Sequence, residues 1–222
     1  MQHLDIVYEN NDYIVVNKMA GLISEKNPYE KCTVENQVFD HISKTKKKPY
    51  VGIIHRLDRV TSGVMVLAKK KSILVEFNHL FSSRKVQKTY LAIVENKPSK
   101  NKESLVHFLV KNNLEKKAEI VPSKSKNTQE CRLSYELIAS NELGHLLEVQ
   151  PKTGRFHQIR AQLAHIGLPI IGDDKYGSPK EYLPLAVCLH AWKLTYQDPV
   201  SKEVKTFQAP LPENNFWKFK SV

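Results

Sequence analysis

Between Val51 and Lys69 the chain reads VGIIHRLDRVTSGVMVLAK, and His55, Arg56, Asp58, Arg59, Thr61 and Ser62 take six of eight consecutive positions within it. A carboxylate among guanidinium groups and hydroxyls can serve as a nucleophile if the cations keep it ionised. The plainer reading makes Asp58 a turn residue, or the ion-pair partner of Arg56 or Arg59. The flanks decide how such a cluster would be held. Val51, Ile53 and Ile54 before it, and Val64, Met65, Val66 and Leu67 after it, have the length and β-branched content of buried strands. Gly63 supplies the backbone freedom to turn back into the second of them. The predicted unit is strand, polar corner, strand, with Asp58 at the corner.

A second polar word, Pro151-Lys152-Thr153-Gly154-Arg155, leads into a helix predicted over Phe156 to Ile166. Phe156, Ile159, Leu163 and Ile166 share one face, and Gly167 with Pro169 ends it. Arg160 lies beside that apolar face, where it could reach inward to a carboxylate. The word is no phosphate loop, because the Gly-x4-Gly-Lys spacing is missing, and no Gly-x-Gly-x-x-Gly follows a strand. His157, His165 and His190, with Asp173 or Asp174, match no metal-ligand spacing. Tyr90, in the alternating stretch Val86 to Glu95, reads by itself as a half-buried strand residue.

In this order, HRLDRVTSGVMVLAK, KTYLAIV and PKTGRFHQIRAQLAHIGLPIIGDDKYG resemble the RluA-type family of RNA pseudouridine synthases, over about Ile6 to Pro210. The resemblance implies an isomerase that breaks the bond from ribose C1′ to uracil N1, turns the uracil and joins C1′ to C5, without a cofactor. It implies Asp58 as nucleophile, Arg160 as the cation paired with it, and Tyr90 as the residue stacked on the target uracil and assisting removal of the C5 proton. By the same resemblance Arg56 would fill the space a flipped base leaves. Leu189, in the word Leu189-His190-Ala191, would wall the base pocket, although by pattern alone it is core. His55, Arg59, Thr61, Arg155, His157 and Gln158, from the first and third words, are the further candidates for contact with substrate RNA. One loop departs from the family. In NKMAGLISEK, Met19 stands where a Lys-Pro-x-Gly loop has proline, and Ser24-Glu25 where an apolar-His or similar pair is common, while Lys18 and Gly21 remain. Without the proline's fixed φ the loop is placed near the site but given no catalytic role.

Lysine and arginine number 34 against 23 acidic residues, a formal charge of +11, so the expected partners are polyanions. Nucleic acid comes first and an acidic membrane surface second, with a merely soluble basic protein as the plain alternative. The 222 residues, 41% hydrophobic, suffice for one large domain or two small ones. The resemblance favours a single catalytic domain over residues 1–222, lacking the small N-terminal RNA-binding module of some family members. No apolar run reaches membrane-spanning length and the start MQHLDIVYENND has no leader pattern, so a cytoplasmic location is expected, with a monomer as the default. Cys32, Cys131 and Cys188 are odd in number and far apart, which suggests neither a disulfide framework nor zinc.

Around these words the pattern predicts a hairpin (Ile6 to Glu9 and Tyr13 to Asn17), then a helix from Thr33 carrying Val34, Val38 and Ile42 and ending in the lysines before Pro49. A second helix is expected behind an N-cap at Ser72, with Ile73, Leu74, Phe77, Leu80 and Phe81 as its stripe. A lysine-rich hairpin arm over about 96–129, turning at Asn112 and Asn113, is either an RNA-contacting arm or an exposed hairpin kept soluble by lysine. Strands follow at Cys131 to Ile138, Leu143 to Val149, Leu185 to Tyr196 and Lys202 to Gln208. The fold class is α+β: a central mixed or antiparallel sheet flanked by helices, the pseudouridine synthase catalytic fold by resemblance. Three competing readings remain distinguishable. A silent RNA-binding protein needs no buried carboxylate, a methyltransferase would show a glycine-rich cofactor loop, and a basic structural protein would lack the polar corner. The target uridine, in ribosomal or transfer RNA, is left open.

Overall fold

The computed structural model describes residues 4–30 and 32–219; Met1 to His3, which belong to the amino-terminal stretch read above, lie outside the described residues. In chain order the elements are β1 (Ile6–Glu9), β2 (Tyr13–Lys18), α1 (Val34–Ser43), β3 (Gly52–Ile53), β4 (Ser62–Ala68), α2 (Lys71–Ser82), β5 (Gln87–Val94) and β6 (Lys102–Asn112). They continue as β7 (Lys117–Val121), β8 (Gln129–Asn141), β9 (Gly144–Pro151), α3 (Gln158–His165), β10 (Leu189–Gln197) and β11 (Val204–Gln208). Among the described residues no helix is long and apolar enough to cross a membrane.

These elements gather into two compact units, of which the first takes the chain to Lys88 together with Ala191–Leu211. In it β2 pairs antiparallel with β1 and β4, β3 with β4, and β10 with β11. Every residue of β4 is buried, which is why its sequence runs apolar without alternation. Thr33 caps α1 by accepting the Asn36 N–H on its hydroxyl at 3.1 Å, a contact worth about 1 kcal/mol. The helix buries Val34, Val38 and Ile42, the stripe its spacing predicts. The first strand of the corner shrinks to Gly52 and Ile53, because β3 pairs only with Ala68 and Leu67 at the end of β4. The start of α2 also differs from expectation. Its cap position is Lys70, whose side chain makes no capping hydrogen bond, and Ser72 lies inside the first turn while Ile73 and Phe77 carry the buried face. At the β10–β11 turn, burial pushes the Asp198 carboxyl up, but Lys205 at 2.8 Å, the Tyr13 hydroxyl at 2.5 Å and two backbone N–H groups hold it well below the usual carboxylate range.

The second unit comprises Thr89–His190 and Pro212–Val222. Its strands pair antiparallel in the order β5-β9-β8-β6-β7. The lysine-rich arm is the β6–β7 hairpin, in which Asn112 pairs with Lys117, so the turn is 113–116; the Asn112 side chain accepts the Leu114 and Glu115 N–H groups at 3.1 Å each. Because β6 also pairs with β8 over Lys102 to Leu109, the arm extends this sheet. Leu109, Ala118, Cys131 and Ala161 form a buried cluster between sheet and α3, with Ile120 and Tyr176 packed against it.

Two further sequence expectations shift here. The helix expected from Phe156 starts at Gln158, because His157 has φ 51°, a left-handed conformation that interrupts the helix; Phe156 is left exposed, its ring stacked on that of His157. The strand expected from Leu185 starts at Leu189, since Leu185 has φ 55° and is exposed. Cys131 and Cys188 are buried, and burial pushes both thiols up, Cys131 to about 11; Cys32 is exposed, and all three are free.

Gly63 ends the corner at φ 117°, and a Cβ there would lie 2.2 Å from the Ala191 carbonyl oxygen. Gly63→Ala is therefore expected to lower the unfolding free energy by more than about 1 kcal/mol, read as a reduced urea midpoint with unchanged slope.

Candidate active site

Within the first unit the corner is shaped around a buried ammonium. Lys18, the last residue of β2, is 1% exposed and donates to the carbonyls of Met19 at 2.9 Å, Leu22 at 2.6 Å and Arg59 at 3.2 Å. Burial pulls its pKa down to about 7, the Asp58 carboxylate pushes it back up, and Arg59 lowers it again. Three carbonyls match the three donors of a charged amine, one more than a neutral amine offers, so the hydrogen bonding and Asp58 both favour the cation. Since one of those carbonyls belongs to Arg59, the same ammonium grips the backbone directly after Asp58. Asp58 itself is half-buried, and its carbonyl accepts the Thr61 N–H at 3.0 Å to close the turn.

The neighbours of Asp58 divide into inward and outward groups. Arg56 pairs with Glu25 at 2.5 Å, and Arg59 with Glu30 at 2.8 Å and the Gly21 carbonyl at 3.1 Å, all at the exposed rim. Such rim pairs add little stability, but they hang the 21–30 loop on the corner. Ser24, in the loop that departs from the family, is buried; its hydroxyl donates to the Leu57 carbonyl at 2.9 Å and accepts the Leu57 N–H at 3.1 Å. Thr61 is buried, and its hydroxyl oxygen has no hydrogen-bond partner among the described residues. His55 turns inward, accepting the Val66 N–H on Nε2 at 3.1 Å and stacking on Phe81 at 4.8 Å. Burial, with Lys88 nearby, lowers its pKa to about 3, so the ring is neutral with its proton on Nδ1.

In the second unit Tyr90 is half-buried in β5, opposite Val149 of β9, and Leu189 is buried at the start of β10. The turn before α3 is knotted by Gln158. Its side-chain oxygen accepts the Thr153 hydroxyl at 2.7 Å and the Arg155 N–H at 3.0 Å, and its nitrogen donates to Arg132 O and Gln162 Oε1 at 3.0 Å each. That saturates the amide inside the protein. Arg155 is half-buried and donates from Nε to the Glu130 carbonyl at 3.3 Å. Arg160, 4% exposed, has found a carboxylate within its own unit: Nε and Nη2 donate to the two oxygens of Asp173 at 2.6 and 2.7 Å. The Tyr176 ring lies 5.0 Å from the guanidinium carbon. Its hydroxyl accepts the Ala118 N–H at 2.7 Å and lies 3.0 Å from His157 Nδ1. Burial first, then Arg160, Lys175 and Lys111, lower His157 to about 3, so its ring is neutral beside the tyrosine hydroxyl.

Sequence reasoning gave no role to three participants in these arrangements. Lys18 is named above only as a retained residue of a loop given no catalytic role, Asp173 stands in a Gly-Asp turn weighed above only against metal binding, and Tyr176 carries no pattern of its own. No group of three or more potential metal ligands occurs among the described residues.

A family model described as RNA pseudouridylate synthase matches residues 12–165. Over 228 residues the chain is 31% identical to the tRNA pseudouridine synthase C of Vibrio parahaemolyticus, covering 95% of this chain and 91% of that protein. It is 30% identical to the ribosomal large subunit pseudouridine synthase D of Buchnera aphidicola, covering 95% and 71%. Among solved structures, human RNA pseudouridylate synthase domain containing 4 superposes with a TM-score of 0.77 at 25% identity, over 94% of this chain and 89% of that one. Human RNA pseudouridylate synthase domain containing 1 shares the fold with a TM-score of 0.81 at 24% identity, over 100% and 90%.

The two histidines lowered to about 3, His55 and His157, contribute to a pH dependence. Both are neutral in the fold down to about 3 and titrate at the ordinary 6.5 when unfolded, so between those values the unfolded chain binds protons that the fold does not. Their contribution is complete above pH 6.5 and is lost as the pH falls toward 3, at up to about 1.4 kcal/mol per pH unit for each ring. His55→Gln, which keeps an acceptor for the Val66 N–H, is expected to flatten that slope by up to one proton in urea midpoints measured across the window. Lys18→Met takes the donor from the Met19 and Leu22 carbonyls, while the Arg59 carbonyl keeps the Gly21 N–H at 2.8 Å; it is expected to cost about 1–3 kcal/mol for each carbonyl left dry, read at pH 7 by the same unfolding.

Proposed function

The chain belongs to the RluA-type family of RNA pseudouridine synthases, and on that footing we propose that it isomerises a specific uridine of ribosomal or transfer RNA with Asp58 as the nucleophile. As an RNA pseudouridine synthase it is an isomerase. The observation that carries the assignment to Asp58 is the construction of the corner: a half-buried carboxylate whose field reaches a buried ammonium, while the flanking arginines pair with Glu25 and Glu30.

In the proposed reaction the Asp58 carboxylate attacks ribose C1′ and the bond to uracil N1 breaks, the electron pair leaving with the base. The uracil turns, C5 forms its bond to C1′ as the carboxylate departs, and the C5 proton is removed while N1 regains one. The atoms therefore balance without a cofactor. Ionisation of Asp58 is the first requirement, since burial favours the neutral acid and a nearby cation opposes it. Arg160 is assigned that role, with Tyr90 stacking on the uracil and assisting the C5 proton transfer. The target base must be extruded from folded RNA at a cost of a few kcal/mol, and Arg56 fills the vacated space while Leu189 walls the pocket. Arg56, Arg59 and Arg155 supply cations to the RNA, whose phosphates the formal charge of +11 attracts. The inward-turned His55 and the saturated Gln158 support this reading as framework for the corner and the turn. One relative is named for transfer RNA and another for the large ribosomal subunit, so both are carried as substrate classes.

Tritium release from C5-labelled ribosomal and transfer RNA transcripts tests the proposal, with Asp58→Asn as the control that keeps the shape of the side chain. Release by the wild type from one class, and none by a variant whose RNA affinity is unchanged, is the expected result. Release by Asp58→Asn at the wild-type rate would remove Asp58 from the chemistry. No release from either RNA, with salt-sensitive binding intact, would instead favour an RNA-binding protein without this activity.

A further inference from the structure

We propose that Asp173 and Tyr176 are positioning residues that hold the Arg160 guanidinium in one orientation, and that Tyr176 ties that orientation to the lysine-rich β6–β7 hairpin. The proposal rests on the reading of Arg160 given above. A guanidinium is a planar fork with five donors, so a carboxylate that takes Nε and Nη2 together fixes the plane and leaves a defined opposite edge. Asp173 does this at 2.6 and 2.7 Å with both side chains almost wholly buried, 5% and 0% exposed. The carboxylate is itself held by its backbone. Asp173 N–H donates to the Ile170 carbonyl at 3.0 Å, and the Asp173 carbonyl accepts Tyr176 N–H at 3.1 Å and Ser178 N–H at 3.0 Å, closing a tight turn.

Tyr176 restrains the remaining direction. The guanidinium carbon lies over its ring, 5.0 Å from the centroid, so motion toward that side meets an aromatic face. The ring is anchored at its far end, where the hydroxyl accepts Ala118 N–H from β7 at 2.7 Å and contacts His157 Nδ1 at 3.0 Å at the start of α3. Since β7 pairs with β6 from Phe108–Val121 to Asn112–Lys117, a load on the hairpin reaches Tyr176 directly through the Ala118 hydrogen bond. A buried ion pair is a poor stabiliser compared with apolar packing of equal volume. What this one supplies is a preset orientation of a side chain that otherwise has many rotamers.

The test measures single-turnover tritium release, RNA affinity and urea unfolding for Asp173→Asn, Asp173→Glu, Tyr176→Leu and Tyr176→Phe, with Arg160→Ala alongside. A misplacement of about 1 Å at a reacting group can cost on the order of 100-fold, so Asp173→Asn and Tyr176→Leu are expected to slow release by about 10- to 100-fold. RNA affinity should stay within about twofold, because Asp173 is fully buried and Tyr176 brings no cation to phosphate. Asp173→Glu, which keeps the charge, should recover part of the rate, and Tyr176→Phe, which keeps the ring and loses the anchor, should fall between Tyr176→Leu and wild type. Wild-type rates in Asp173→Asn and Tyr176→Leu, beside a slow Arg160→Ala, would overturn the positioning proposal and leave the reading of Arg160 standing. Wild-type release by Arg160→Ala would overturn both. A loss explained wholly by weaker RNA binding would overturn the proposal too. Should Asp173→Asn fail to fold, the ordering of the two Tyr176 variants decides.

Discussion

A cation is buried at a cost unless acceptors are brought to it, and in each unit the chain is bent to bring them to one. In the second unit the cation is Arg160, on a helix of eight residues, Gln158–His165, whose first six are buried. Its carboxylate stands thirteen residues away, so the chain must leave α3 at Gly167, with φ 77°, and come back along Leu168 to Gly172, with φ 85°. At Gly172 a Cβ would lie 2.5 Å from that of Tyr182, so the path that delivers Asp173 is closed to larger residues. In the first unit the cation is Lys18, and the chain curls three carbonyls around it from two separate segments.

Seen this way, the density of polar residues in the two motif words serves two purposes. Asp58, Arg56 and Arg59 stand at the corner where chemistry and RNA contact are proposed. His55 and Gln158 sit among them in sequence but are spent inward, one receiving a strand N–H and the other knotting a turn with four hydrogen bonds. A reactive side chain is only as well placed as the backbone beneath it, and these buried polar groups fix that backbone more narrowly than apolar packing does.

The sequence was legible where a short-range pattern decides the outcome. The buried β4 run, the Val34, Val38 and Ile42 stripe and the hairpin arm all follow local rules, and the corner was found by its composition. The errors fall where the decision is made at a distance or by one dihedral. Ser72 has the chemistry of a cap, yet α2 starts ahead of it at Lys71. The apolar run from Leu185 looks like strand, but Leu185 turns left-handed and the ladder waits for Leu189. Phe156 fits the helical stripe until His157 breaks it. The inward reach of Arg160 could be read from its position beside an apolar face. The identity of Asp173 could not, because the meeting depends on two glycine turns and a returning loop rather than on any spacing.

The three cysteines leave the molecule with a built-in address for a probe. Cys131 and Cys188 are buried, with thiolate formation opposed by their surroundings, while Cys32 is exposed just before the Thr33 cap of α1. A thiol-reactive dye added to the folded native chain will therefore collect at one place, in the segment joining the Glu30 that grips Arg59 to α1. Without any engineered residue, the protein offers a fluorescence reporter within a few residues of an ion pair anchored on the Asp58 corner.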